Sequence, residues 1–322
     1  MLNIERKKNV LLVHYSQTGQ LTAAANAMMK PLQDCDYIEV TSINLMPEKD
    51  FTFPWSLLSF LDVFPESVYL DPPALRPIQL SLRDDYDLII IAYQVWFLSP
   101  SLPMTAFLQH PDTAKILRGK PVITLIACRN MWVMAQETMK KLLSDHQARL
   151  LDNVALVDQG SSLASFITTP RWILTGRKQA FWGFPPAGLS SQTINQSCRF
   201  GEAICSGLLA DEEKGEQPML SGLGAAKTDY GLIQSERIGY RSFRIWGKLI
   251  RACGKPGSKA RVPILIFYLF FLILMIVTVV PVSLLLRKLL SIIRKRKQRE
   301  IEQEFEAPSG SGTERMAQFT CQ

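Results

Sequence analysis

Short apolar runs separated by polar segments occupy the first two thirds of the chain. They are residues 10–13 (VLLV), 36–43 (DYIEVTSI), 87–93 (DLIIIAY), 120–127 (KPVITLIA) and 153–159 (NVALVDQ). The third run is apolar on both faces, which is typical of a central strand in a parallel sheet. Helices are predicted between the strands, at residues 21–31, from about 104, at 133–150 and at 192–209. This alternation predicts an α/β domain with five parallel strands.

Two connections between the predicted strands are far longer than a strand–helix crossover requires. Residues 44–83 are rich in proline and aromatic residues, which favours a lid or a hydrophobic wall with a short helix near residues 55–63. Extra core that covers a sheet edge is the alternative. Residues 160–191 place five aromatic residues among basic ones, a pattern found in nucleic-acid-binding segments and at membrane interfaces.

The most apolar stretch of the chain, residues 263–286, runs for 24 residues without a charge. A helix of that length reaches about 36 Å, more than the roughly 30 Å hydrocarbon core of a bilayer, so a transmembrane helix is predicted. Eight Lys and Arg residues at 237–261 precede it, and seven at 287–299 follow it. Because both flanks are basic, the positive-inside rule does not orient the helix, and a single pass and a re-entrant anchor both stay open.

The predicted organisation follows from these segments. It comprises a strand-containing domain at 1–209 with insertions at 44–83 and 160–191, a linker and basic juxtamembrane segment at 210–262, a transmembrane helix at 263–286, and a basic amphipathic segment with a disordered tail at 287–322. The formal net charge of +7 is concentrated in the C-terminal part. This favours a membrane surface as the partner and argues against nucleic acid.

The spacing of the cysteines and histidines indicates neither a disulfide framework nor a metal site. The six cysteines contain no CxxC spacing, and the three histidines lie far apart. This predicts reduced thiols in a cytosolic compartment, without a disulfide framework, and no metal site. The basic N-terminus lacks the apolar stretch of a secretory signal, so the first domain is expected in the cytoplasm.

Residues 14–22 (HYSQTGQLT) join the first strand to the first helix and predict an anion site. The segment offers hydroxyl groups, a glycine that lets the backbone approach an anion, and a helix N-terminus with its backbone N–H groups. It lacks the GK[ST] of a nucleoside triphosphate loop and the GxGxxG of a dinucleotide fold. An ordinary strand–helix turn is the alternative. The predicted phosphate-binding residues are Ser16, Gln17, Thr18, Gly19, Gln20, Leu21 and Thr22.

Loops that follow the third and fourth predicted strands are expected at the same edge of the sheet, because ligands bind beyond the carboxyl ends of parallel strands where the strand order reverses. Trp96 is placed to cover a flat ring, and Arg129 to stabilise negative charge on a ring or an enolate oxygen. A core side chain and a surface cation are the respective alternatives. The predicted contacts from these loops are Gln94, Val95, Trp96, Phe97, Cys128, Arg129 and Asn130.

Residues 9 to about 209 resemble the flavodoxin-like superfamily, whose flavin mononucleotide (FMN) loop has the pattern Ser/Thr-x-Thr-Gly-x-(x)-Thr. The resemblance implies a doubly wound parallel sheet of strand order 2-1-3-4-5 and non-covalently bound FMN as the cofactor. Four stretches, HYSQTGQLT, AYQVWFLSPSLP, ACRNMW and FITTPRWILTGRK, look more closely like the bacterial dialkylresorcinol condensing enzymes. Members of that family accompany ketosynthases in aryl polyene and dialkylresorcinol pathways.

This resemblance implies an FMN-dependent oxidoreductase. Together with the predicted transmembrane helix at 263–286 and the missing secretory signal, it predicts an enzyme anchored in the bacterial inner membrane, with its flavin domain in the cytoplasm. The chain shows no Cys-His-Asn condensing constellation. The implied reaction is therefore the aromatisation of a lipophilic cyclohexane-1,3-dione to a dialkylresorcinol, with Arg129 as the catalytic residue. The implied partners are the lipophilic substrate, membrane lipid and a ketosynthase of the same pathway. An NAD(P)H-dependent flavin or quinone reductase and a non-catalytic electron carrier are the alternatives.

Overall fold

The computed structural model describes residues 6–77, 85–290 and 295–321. Its parallel strands are β1 (Lys8–His14), β2 (Ile38–Asn44), β3 (Leu88–Trp96), β5 (Pro121–Cys128) and β6 (Arg149–Val157). They form one sheet in the order β2-β1-β3-β5-β6, and a two-residue strand β4 (Ser99–Pro100) pairs antiparallel with the end of β3. Counted along the parallel strands alone, the order is 2-1-3-4-5, which is the flavodoxin-like arrangement. The predicted fold class is confirmed, with β4 as an addition.

Eleven α-helices accompany these strands within the described ranges. They are α1 (Gln20–Gln33), α2 (Leu57–Tyr69), α3 (Leu102–Gln109), α4 (Thr113–Leu117), α5 (Val133–Asp145), α6 (Ser162–Thr175), α7 (Ser191–Asn195), α8 (Cys198–Leu209), α9 (Tyr230–Ala252), α10 (Val262–Leu290) and α11 (Lys295–Glu306). The predicted closing helix at 192–209 is thus two helices, and the last strand begins four residues before the predicted residue 153.

Helices cover both faces of the sheet because successive side chains of a strand point to opposite sides. Val10 and Leu12 of β1 belong to one buried cluster together with α1 and α8. Leu11 and Val13 belong to a second cluster, together with α3 and α5. Gly201 lets α8 approach α1 closely, since a Cβ atom there would lie 1.9 Å from a backbone oxygen of α1.

A tight turn at the end of β3 was not predicted. Phe97 and Leu98 have φ angles of 51° and 61° and connect β3 to β4 as the two central residues of a hairpin. Two-residue hairpin turns with positive φ at both positions normally use Asn-Gly or Asp-Gly. Bulky residues in this conformation are strained by about 1–2 kcal/mol each. The absence of glycine hid the turn from sequence reasoning, and the strain lies at the edge where the strands end.

The segment predicted as a linker, from residue 210, packs into the domain. Met219, Leu220 and Leu223 are buried in the cluster under α1 and α8. Their backbone is held by the buried Asp152 carboxylate of β6, which accepts from the N–H groups of Met219 at 2.9 Å and Leu220 at 3.1 Å. The expectation of a solvated linker is corrected, because a buried partner on the sheet satisfies the segment's polar backbone.

The predicted disordered tail is also ordered. Ser309 is buried, and its hydroxyl donates to Asp152 at 2.7 Å while it accepts from the backbone N–H of Asn153 at 2.7 Å. Farther along, Cys321 forms a disulfide with Cys198 of α8. The expectation that the chain contains no disulfide is therefore wrong, because folding joins two cysteines that lie 123 residues apart. Spacing patterns do not reveal such a pairing.

A third buried cluster joins helix α2 of the first insertion to α9 and α10. Its members are Leu61, Phe64, Val68, Ile250, Leu265 and Tyr268. Phe64 stacks on Tyr268 with ring centroids 4.6 Å apart. Helix α10 covers the predicted span at 263–286. The stretch Lys259–Thr278, which consists of the turn before α10 and the first part of α10, is long and apolar enough to cross a membrane, with a mean hydropathy of 2.6.

Candidate functional site

An open cleft lies at the carboxyl ends of β1, β3, β5 and β6. Its empty space, including open solvent at the mouth, is about 950 Å³. Residues from the strand-end loops line one side, and aromatic residues of both insertions line the other. The cleft therefore occupies the point at which the strand order reverses, where open α/β sheets bind ligands.

The loop after β1 has features of an anion-binding site. Gly19 has a φ angle of +78° immediately before α1, and a Cβ atom added there would meet nothing within 4 Å. The Ser16 hydroxyl is buried and has no hydrogen-bond partner among the residues that the structure describes. A buried hydroxyl without a partner costs about 1–3 kcal/mol, so a ligand that accepts its hydrogen bond would bind favourably. The helix N-terminus adds a positive partial charge at the same place.

Glutamine side chains hold this loop against its neighbours. The backbone N–H of Gln17 donates to Gln94 Oε1 at 2.9 Å, and Gln17 Nε2 donates to the Phe51 carbonyl at 2.7 Å. Gln20 exchanges two hydrogen bonds of 3.1 Å with the backbone of Leu189. These contacts connect the anion loop to β3 and to both insertions, so the loop is rigid before any ligand binds.

Aromatic residues of the two insertions meet over the cleft. Trp96 at the end of β3 makes edge contacts with Tyr15, Phe51 and Trp55 at centroid distances of 5.9, 5.0 and 5.6 Å. The backbone N–H of Trp55 donates to Ile173 O at 2.9 Å, which joins the first insertion to the second. The predicted hydrophobic wall is thus present, and both insertions build it.

Arg129 and Asp158 bring opposite charges into the apolar cleft, which both residues line. The guanidinium lies 4.1 Å from the ring centroid of Phe166 and makes no ion pair with any residue that the structure describes. Burial lowers the Arg129 pKa, while Cys128, Asp158 and Glu236 raise it. A desolvated cation without a carboxylate in contact is well placed to stabilise an anionic group of a ligand.

Asp158 follows β6 and fastens two loops. Its carboxylate accepts from the backbone N–H groups of Gly160 at 2.7 Å and Gly188 at 2.6 Å. Burial raises the pKa of this carboxyl, although both N–H groups and the charge of Arg129 act in the opposite direction. A carboxylate with a raised pKa is a better proton acceptor near neutral pH.

Other ionisable groups near the strand ends are less suited to catalysis. Tyr93 is fully buried and donates to Gln136 Oε1 at 2.7 Å, and burial places its pKa well above the usual value. Tyr15 donates to Gln17 Oε1, and burial raises its pKa as well. Burial also raises the pKa of the Cys128 thiol, so this thiol is not an activated nucleophile.

The cleft brings together nine of the predicted site residues, namely Gln17, Thr18, Gln20, Gln94, Val95, Trp96, Phe97, Cys128 and Arg129. Ser16, Gly19, Leu21, Thr22 and Asn130 lie in the same loops but do not line it. Leu21 is a core side chain, and Thr22 lies 3.5 Å from His14 Nδ1.

Sequence reasoning missed other residues that line the cleft, including Asp158, Thr169, Trp172 and Gly188. Asp158 could have been found, because it stands at the carboxyl end of the last predicted strand, 153–159, just as Arg129 stands beyond the end of the strand before. The other three lie in the second insertion, and no sequence pattern predicts that they line the cleft.

A residue far along the chain completes the loop after β5. Glu236 of α9 is buried, and its carboxylate accepts from the backbone N–H of Met134 at 2.8 Å, at the beginning of α5. Burial raises its pKa to about 7, against the opposing effects of the α5 N–H groups and Arg129. The basic segment next to the apolar helix therefore supports the candidate site directly.

No protein-family model and no curated protein sequence matches the chain, whereas solved structures do. A flavoprotein from Lactobacillus acidophilus, solved in complex with FMN, is 16% identical over 46% of this chain and 93% of that chain, with a TM-score of 0.37. A flavodoxin from the domain Archaea is 11% identical, covering 64% and 99%, with a TM-score of 0.35. An oxidoreductase from Corynebacterium diphtheriae is 13% identical, covering 64% and 98%, with a TM-score of 0.31.

Proposed function

We propose that the chain binds FMN non-covalently in the strand-end cleft. The observation that carries this proposal is the buried, unpartnered Ser16 hydroxyl beside the open backbone at Gly19, in the loop whose Gln17 and Thr18 line a cleft walled by aromatic rings. The loop from Ser16 to Thr22 would hold the phosphate. Trp96 and the loops after β3 and β5 would contact the flat ring, which suits their apolar and amide surface.

Two matched glycines test this assignment. Gly19 and Gly119 both have left-handed φ angles, +78° and +70°, and a Cβ atom at either would meet nothing within 4 Å. Gly19→Val and Gly119→Val therefore carry similar backbone strain, but only the former places a side chain where the phosphate would lie. We expect purified Gly19→Val to lose its flavin absorbance and Gly119→Val to keep it. Equal flavin content in the two variants would refute the assignment.

The reaction that we propose is the aromatisation of a lipophilic cyclohexane-1,3-dione to a dialkylresorcinol. Bound FMN supplies a two-electron acceptor for the hydride that the substrate ring loses. Arg129 stabilises the enolate oxygen of the dione, and Asp158 accepts the proton that leaves the ring. The substrate thus loses one hydride and one proton and becomes aromatic. The aromatic wall excludes water from the reacting carbon atoms.

An apolar connection from the cleft to helix α10 supports a lipophilic substrate. Phe60 and Val63 of α2 line the cleft, and Phe64 on the same helix stacks on Tyr268 of α10. Phe97 lies 4.9 Å from Phe60 and 5.2 Å from Phe64 between ring centroids. We therefore place the enzyme at the cytoplasmic face of the bacterial inner membrane, where it would receive the product of a ketosynthase.

The proposed reaction can be tested by anaerobic mixing of the FMN-loaded full chain with a synthetic dialkylcyclohexanedione. Bleaching of the flavin absorbance is expected, and Arg129→Ala should slow it by about 10²–10³-fold because one charge-stabilising donor is lost. Asp158→Asn keeps the shape of the side chain and should slow bleaching by about 10²–10⁴-fold. The control is Arg177→Ala, which removes an exposed cation of the second insertion and should have little effect.

The outcomes separate the proposed reaction from its alternatives. Rapid bleaching by NAD(P)H and none by the dione would replace the aromatase with a flavin or quinone reductase. Bleaching by neither compound would favour an electron carrier. Bleaching by the dione at unchanged rates in both variants would keep the reaction but reject the roles of Arg129 and Asp158.

A further inference from the structure

Helix α10 exposes an apolar surface that the rest of the described chain does not cover. Only 17% of its most apolar window is buried, whereas a core helix of a soluble protein would be mostly buried. Its exposed large apolar residues are Ile266, Phe267, Phe270, Ile273, Leu274 and Val277. Contiguous exposed apolar surface of this kind requires a lipid or protein neighbour.

The beginning of α10 is fixed to the domain. The buried guanidinium of Arg261 donates to both carboxylate oxygens of Glu66, at 3.1 and 2.8 Å, and to Asp62 at 3.2 Å. It also donates to the Gly254 carbonyl at 2.7 Å. Both carboxylates belong to α2, and Phe60 of the same helix lines the cleft. The beginning of α10 is therefore tied to a helix that forms part of the cleft wall.

The chain after α10 returns to the same domain. Glu302 of α11 accepts from the backbone N–H of Tyr230 at 2.8 Å, at the beginning of α9. Glu306 of α11 accepts from the backbone N–H of Thr228 at 2.9 Å, just before α9. Beyond α11, Ser309 hydrogen-bonds to Asp152 and Asn153 of β6, and Cys321 is bonded to Cys198. Both flanks of the apolar helix therefore contact one folded unit.

A helix that crossed the bilayer once would separate these flanks. Only residues 291–294 lie between α10 and α11, and α11 (KRKQREIEQEFE) is too polar to cross back. Helix α10 is continuous over 29 residues, about 43 Å, so it does not turn back within the bilayer. A single crossing would leave Ser309 on the side opposite to Asp152. It is therefore incompatible with the packed tail.

We infer that α10 is a monotopic anchor that lies in one leaflet near the membrane plane, with the FMN domain and the C-terminal segment on the same side. This inference rests on the membrane anchoring proposed above and specifies its topology. Helix α9 extends the membrane-facing surface, because it exposes Ile238, Ile245 and Leu249 beside the basic residues Arg241 and Lys248. Apolar and basic residues together on one helix suit an interface of anionic lipid.

The topology can be measured on the full chain in bacterial membranes, with short epitope tags at both ends. Inverted vesicles expose the cytoplasmic face, and right-side-out vesicles expose the opposite face. We expect an impermeant protease to remove both tags in inverted vesicles and neither tag in right-side-out vesicles. Removal of the C-terminal tag only in right-side-out vesicles would show a single pass and overturn the inference while leaving the anchor intact.

A second measurement uses the native cysteines. After reduction of the chain in inverted vesicles, mild oxidation should re-form the Cys198–Cys321 disulfide, and this disulfide should be absent in Cys321→Ser. Failure of the wild-type chain to form this link would overturn the same-side arrangement of the tail. Recovery of the chain in the soluble fraction would instead refute the membrane anchoring on which the inference rests. The flavin absorbance of the same preparation reports separately on FMN binding.

Discussion

Glu236 makes the stability of the protein depend on pH in a direction opposite to that of most carboxylates. Its side chain is fully buried and accepts a hydrogen bond from the first turn of α5, directly after the loop that carries Arg129. Burial raises its pKa from the ordinary 4.5 to about 7. The folded state therefore binds this proton more tightly than the unfolded state does.

The sign and size of the effect follow from proton linkage. Between about pH 4.5 and pH 7 the unfolded chain releases the proton while the folded chain retains it, so the free energy of unfolding falls as the pH rises. A shift of about 2.5 units at 1.36 kcal/mol per unit corresponds to roughly 3 kcal/mol in full. Roughly 2–3 kcal/mol of this lies between pH 5 and pH 8.

Glu236→Gln removes the titration and keeps an oxygen that can accept from Met134. We expect the variant to gain roughly 2–3 kcal/mol relative to the wild type between pH 5 and pH 8. Urea denaturation of the detergent-solubilised chain, followed by tryptophan fluorescence at both pH values, measures the difference. Glu302→Gln is the matched control, because Glu302 accepts from the beginning of α9 but is only half-buried. The reasoning is refuted if Glu236→Gln and the wild type differ by the same amount at both pH values.

Three further variants test how the site and the tail are held. Gly188→Ala would place a Cβ atom 2.3 Å from Gln20 Oε1, so we expect it to lose about 1–3 kcal/mol and most of its flavin. The control Gly183→Ala has the same φ angle of +81° but meets nothing within 4 Å, and thermal denaturation with flavin absorbance should separate the two. Ser309→Ala leaves Asp152 and the Asn153 N–H short of a partner and should cost about 1–3 kcal/mol by urea denaturation, more than Ser311→Ala, whose hydroxyl is half-buried. Arg261→Met removes the closer of the two cations that pair with buried Glu66, leaving Arg251 at 3.7 Å, and should cost at most about 3–5 kcal/mol. Arg296→Met breaks an exposed pair and should cost under about 1 kcal/mol. Equal losses within any of these pairs would contradict the corresponding contact.

Local patterns in the sequence determined the sheet and its binding edge. Five apolar runs separated by helical segments are sufficient to predict a parallel α/β sheet, because strand and helix periodicities are local properties. The loop from Ser16 to Thr22, Trp96 and Arg129 could be assigned to one edge, since parallel strands all end on the same side. The same rule applied to the last strand would have added Asp158.

Contacts between distant segments were decided only by the tertiary structure. Glu236 is one acidic residue in a basic segment, and nothing local shows that it caps α5, about 100 residues earlier. The hairpin at Phe97 and Leu98 lacks glycine, so its left-handed backbone is imposed by the surrounding packing.

The C-terminal segment shows most clearly the difference between what composition predicts and what tertiary contacts decide. Its sequence, PSGSGTERMAQFTCQ, is polar and rich in Gly and Ser, and such composition by itself favours disorder. It is ordered because Asp152 of β6 needs hydrogen-bond donors inside the domain, and Ser309 supplies one of them. The sequence alone determined that residues 263–286 form an uncharged apolar run. Only the tertiary structure decided that the segments before and after that helix pack on the same domain.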